Sequence, residues 1–71
     1  MTAEELHEIG GRLYGEGLIA TIYIRALAKD LRISEASIRQ WWYGIGQGIP
    51  MSAMDTLKLL ELQRGRFQYS H

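Results

Sequence analysis

An all-α fold, a compact domain of four helices, is what this sequence predicts, and three features predict it. The apolar residues are mainly Leu, Ile, Ala, Met and aromatics, with no valine anywhere, and Leu, Ala and Met favour helix. They recur at three- and four-residue intervals. Capping residues and glycines bracket the segments so marked.

Thr2-Ala3-Glu4-Glu5 reads as a capping box that opens helix 1. Leu6, Ile9 and Leu13 continue it at helical spacing, from about Ala3 to about Tyr14. Gly10 and Gly11 lie inside and weaken it by up to ~1 kcal/mol each. They either admit a closely packed neighbour or bend the helix. Gly15 and Gly17 end it.

Helix 2 carries Ala20, Ile24, Leu27, Ala28 and Leu31 on one narrow stripe, with Arg25 and Lys29 opposite. It starts at a Thr21 cap or nearer Leu18. Ser34 suits an N-cap and Glu35 suits the positive end of a helix, so helix 3 spans about Glu35 to Tyr43 and stops at Gly44. Ile38 and Trp41 point one way, which assigns Trp41 to the core. Trp42 lies near the edge of that face. A glycine-rich loop follows. Pro50 fits the first turn of helix 4, and Ser52 with Asp55 offers a second start. Helix 4 runs to about Gln63 with two apolar sides: Ala53, Met54, Leu57 and Leu60 on one, Met51, Leu59 and Leu62 on the other. Residues 1–63 thus form the domain, and 64–71 read as a tail without periodicity.

The chain has 71 residues and no cysteine. A chain this short buries only about 60% of its unfolded surface. Disulfides and cysteine-based zinc sites are excluded, so a second copy is the expected source of extra burial. No apolar run approaches the ~18 residues of a membrane span. Met1 is followed by Thr and acids rather than a secretory signal, so the expected location is cytoplasmic. The formal net charge is zero. Basic residues nevertheless gather in helices 2 and 3, while the first eight residues hold three acids and no Lys or Arg.

Enzyme chemistry finds no support. His7-Glu8 begins like a zinc-protease motif, but Gly11 stands where the second histidine belongs. Gly15-x-Gly17-x-x-Ala20 follows no strand, and the Gly44–Gly48 loop lacks the Lys-Ser/Thr of a phosphate loop. No nucleophile–base pair or paired carboxylates appear. No metal, cofactor or small-molecule effector is expected.

Helices 2 and 3 have the spacing of a helix-turn-helix. Ala28 sits where two helices cross closely, flanked by Leu27 and Leu31; Ile33 follows at the turn, and Ile38 and Trp41 come from the second helix. The stretch Ala26-Leu27-Ala28-Lys29-Asp30-Leu31-Arg32-Ile33-Ser34-Glu35-Ala36-Ser37-Ile38-Arg39-Gln40-Trp41, followed by Gly44, resembles the lambda-repressor-like (Cro/repressor, XRE-type) DNA-binding family. The likeness extends to about Leu62. Two positions depart from the family pattern. Arg32 stands where the turn usually has glycine, and Ile24 where a phosphate-contacting glutamine is common.

The resemblance implies a duplex-DNA partner, with helix 3 in the major groove. Arg39 would then bond guanine O6 and N7, and Gln40 adenine N6 and N7. Ala36 would leave room for a thymine methyl, and Glu35 would accept from cytosine N4. Arg25, Lys29, Ser34 and Tyr43 would meet the DNA backbone. The second apolar side of helix 4 has two explanations: it is buried within the monomer, or Met51, Leu59 and Leu62, with Phe67, form a homodimer surface, which would set recognition helices roughly 34 Å apart on a palindromic site. The expected function is transcriptional regulation, of phage or bacterial repressor type. Two plainer readings stand beside it: the basic residues form an ordinary solvated surface, or the domain docks on a host protein through Trp42, Tyr43 and helix 4.

Overall fold

The computed structural model describes residues 2–69, with side chains for residues 2–64. Four helices follow in order: α1 (Ala3–Tyr14), α2 (Ala20–Leu31), α3 (Glu35–Trp42) and α4 (Met51–Tyr69). No strand is present among the described residues, and no helix there is long and apolar enough to cross a membrane.

Thr2 caps α1 as the capping box requires, its hydroxyl oxygen accepting from the Glu5 N–H at 3.2 Å. The return contact differs, because the Thr2 hydroxyl donates to the Glu5 carboxylate. α2 begins at Ala20, with Ile19 as its uncapped N-cap residue. Neither Thr21 nor Leu18 starts it. The Tyr23 hydroxyl explains the choice. It donates to Gly15 O and accepts from Leu18 N, so the α1–α2 loop is fixed from inside α2.

α4 begins one residue after Pro50, whose carbonyl accepts from Met54 N; Ser52 lies within the helix. It does not stop at Gln63 but continues to Tyr69. Gly65 lowers helix propensity by only ~1 kcal/mol and does not terminate a helix by itself. Arg64 also holds this end to α1, donating to Leu13 O at 2.6 Å.

The core is one cluster. Leu6, Ile9 and Leu13 from α1 meet Tyr23, Ile24, Leu27 and Ala28 from α2, Ile38 and Trp42 from α3, and Leu57 from α4. α1 and α2 each pack against all three other helices, whereas the backbones of α3 and α4 do not approach each other. Trp42, not Trp41, is the buried tryptophan; Trp41 is only half-buried. The reason lies across the interface. A Cβ on Gly10 would come within 3.2 Å of the Tyr23 ring and 3.4 Å of the Trp42 ring. The missing side chain makes a slot, and Trp42 fills it. There it stacks on Tyr23 at 5.0 Å between centroids, which settles the role of Gly10 as close packing.

Arg64, Tyr14 and Asp30 close the opposite side. The Tyr14 hydroxyl donates to Asp30 Oδ2, Arg64 Nη2 lies 3.6 Å from the same oxygen, and its guanidinium covers the Tyr14 ring. Burial first, then the Asp30 carboxylate, push the Tyr14 hydroxyl above its ordinary value. Its unfolded value is about 10. A value raised in the folded state means the contribution is fully present below pH ~10 and is lost as the pH rises above it. Melting curves should therefore show the wild type losing stability above that pH more steeply than Tyr14→Phe. Equal slopes would remove Tyr14 as the cause.

Candidate nucleic-acid interface

Three residues, Arg32 to Ser34, join α2 to α3. Arg32 adopts the left-handed conformation, φ 58° and ψ 43°. Its N–H and that of Ile33 both return to Ala28 O, which closes the end of α2. The turn thus keeps a glycine-like shape without glycine. A left-handed L-residue costs roughly 1–2 kcal/mol, so Arg32→Gly should raise stability by about 1 kcal/mol in chemical denaturation. A loss of stability would show that the Arg32 side chain contributes more than its backbone costs.

Ser34 caps α3, accepting from Ser37 N at 3.3 Å and donating to Ser37 Oγ. Its hydroxyl is therefore committed within the chain. The N–H groups of Glu35 and Ala36 are the ones left at the helix start. Ile38 and Trp42 face the core, and Glu35, Ala36, Arg39 and Gln40 are exposed. α3 ends at Trp42 rather than Tyr43. Tyr43 is its C-cap residue, 57% exposed. Gly44 follows at φ 69°, and Ile45 N returns to Gln40 O at 2.8 Å. This turn brings the glycine loop beside Gln40: a Cβ on Gly46 would lie 3.4 Å from Gln40 Oε1.

On α2, Arg25 and Lys29 are exposed one turn apart, and Ile24 is buried. All eight predicted DNA contacts, on α2, at the turn and on α3, are thus open to solvent. No hydrogen bond or ion pair among the described residues joins the α2 pair to the α3 group.

Charge is distributed unevenly over this surface. Arg25, Lys29, Arg32 and Arg39 are exposed and have no ion-pair partner among the described residues. Two acids share their stretch of chain. Asp30 is turned away from them, toward Tyr14 and Arg64, which leaves Glu35. Arg12 is held by Glu61 at 2.7 Å, on the α1–α4 side. The acids Glu4, Glu5 and Glu8 stand exposed on α1.

A shallow groove of about 520 Å³ lies between α1, the α1–α2 loop and Trp42. Glu8 and Glu16 border it, and no predicted DNA contact lines it. His7 is exposed, as a surface residue of α1 should be, but it also works at a distance. It stacks on Trp42 at 4.1 Å, and its Nε2 donates to the Trp42 carbonyl at 2.7 Å. That bond satisfies a carbonyl at the end of α3. Sequence reasoning missed it because the partners are 35 residues apart.

Of the predicted dimer residues, Met51, Leu59 and Leu62 are exposed at 73%, 59% and 65%. The Phe67 side chain lies outside the described residues. Trp42 is 7% exposed and lines that groove. Among the described residues, no group of three His, Cys, Asp or Glu is placed to hold a metal ion.

Compared with protein families, curated proteins and solved structures, the chain matches none.

Proposed function

We propose that this protein is a sequence-specific regulator of transcription that binds duplex DNA through the exposed side of α3. In this reading it is a repressor of phage or bacterial type, works in the cytoplasm, and occupies a palindromic operator as a homodimer. The resemblance of the α2–α3 stretch to the Cro/repressor family motivates the reading. The observation that carries it is electrostatic. Among the described residues, four cations without an ion-pair partner line the α2–α3 segment, and of the two acids in that stretch Asp30 is bound elsewhere, which leaves only Glu35 to oppose them. A zero net charge thus conceals a basic region at one site and acids on α1, and phosphate responds to the local field.

In the bound state Arg39 is the bidentate donor to guanine and Gln40 the reader of adenine. Ala36 makes room for a thymine methyl, and Glu35 accepts from cytosine N4. Arg25, Lys29, Tyr43 and the start of α3 at Ser34 hold phosphates and set the register. Repression follows from occupancy, because a domain of this size covers its site and needs no effector.

Selection from a randomised duplex library at about physiological salt tests this. Specific sites should outcompete non-specific ones by ~10³ or more, and affinity should fall steeply as salt rises. An enriched two-fold motif supports the whole reading, and a half-site alone removes the dimer from it. No enrichment from folded protein overturns it and favours the protein-docking reading. One observation would then locate that surface: Tyr43 and Ile45 are exposed at 57% and 61% beside α3.

A further inference from the structure

α4 presents a second seam on its outer side. Ala53 and Leu57, 3% and 0% exposed, face the core. Met51, Asp55, Lys58, Leu59 and Leu62 are all exposed. At 100° per residue they fall within about 100° of the helix surface, opposite the core-facing residues. Neither Asp55 nor Lys58 has an ion-pair partner among the described residues.

The order of residues along this seam is self-complementary. Met51 and Leu62, and Asp55 and Lys58, are two pairs with one shared midpoint, between Thr56 and Leu57. A two-fold axis crossing α4 at that point sets each residue against its counterpart on another copy. Met51 then meets Leu62 of the second copy, and Asp55 meets its Lys58. A parallel arrangement would instead place Asp55 on Asp55 and Lys58 on Lys58, like charge on like.

We infer that the occupant of this seam is a second copy of the chain, with the two α4 helices packed antiparallel about that midpoint. Such a contact is isologous, as a closed dimer requires. The seam is about 17 Å long, which places it among small, transient interfaces. None of the eight predicted DNA contacts lies on α4. The inference deepens the homodimer part of the functional reading by giving its register. The test contains no DNA, so its failure leaves duplex binding by a single copy standing.

Asp55→Lys makes the seam wholly basic, and Lys58→Asp makes it wholly acidic. Sedimentation and native mass spectrometry, from tens to hundreds of micromolar, should show wild type dimerising. Each variant alone should associate tenfold more weakly or worse. An equimolar mixture of the two should form heterodimers as tightly as wild type. Leu62→Glu, at a position 65% exposed, should weaken association without unfolding and serves if a charge variant fails to fold. A monomeric wild type over the whole range overturns the inference. So do single charge variants that dimerise like wild type, or a mixture no tighter than either component.

Discussion

Trp42→Ala should cost about 3–5 kcal/mol and lower the melting temperature by more than about 12 °C. Trp42 fills the slot above Gly10, stacks on Tyr23 and packs against the His7 ring. The cavity left behind is lined by rings that cannot collapse into it without moving α1. A domain of this size has roughly 4–10 kcal/mol in all, so the variant should lose a large share of its stability. Trp41→Ala, at a half-buried position, should cost less than about 2 kcal/mol. Thermal unfolding followed by circular dichroism separates the two. An equal loss from both would show that the core does not rest on Trp42.

Arg39→Ala should weaken binding to a selected operator by ~1–3 kcal/mol, about 5- to 150-fold, and relax preference at one base pair. Arg39 is exposed and unpaired among the described residues, so its removal should leave the fold intact. Lys29→Ala should act differently, weakening all duplexes alike and reducing the salt slope by about one. Arg12→Ala is the comparison, since Arg12 lies on α1 with Glu61. Unchanged affinity and preference in Arg39→Ala would refute the placing of α3 in the groove.

How much of this was legible in the sequence depended on distance along the chain. Local signals were sufficient for α1, where the Thr2 cap and the glycine stop set both ends. They also sufficed for the Ser34 cap and the Gly44 exit of α3. The two apolar sides of α4 were readable too: the structure buries Ala53 and Leu57 of one, half-buries its Met54 and Leu60, and exposes the other. Long-range effects were not readable. Ile38 has helical neighbours at both Trp41 and Trp42, and only Gly10, on another helix, decides between them. Tyr23 sets the start of α2 by holding a loop outside it. Arg64 anchors the far end of α4 through a carbonyl on α1. The residues of α3 predicted to meet DNA were legible as exposed positions, but the charge around them was not. Asp30 follows Lys29 directly in the chain, and only its bond to Tyr14, 16 residues away, turns it from the cations.

The packing of α4 on α1 also bears on how the protein is made. Leu57 shares the core with Leu6, and Arg64 reaches back to Leu13. The chain leaves the ribosome from its α1 end, and domains fold as units during synthesis. Until α4 has emerged, then, the core around Leu6, Ile9 and Leu13 lacks Leu57 and the Arg64 clasp. A chain cut before Leu57 should therefore stay more open, and be cleaved faster by proteases, than the intact one.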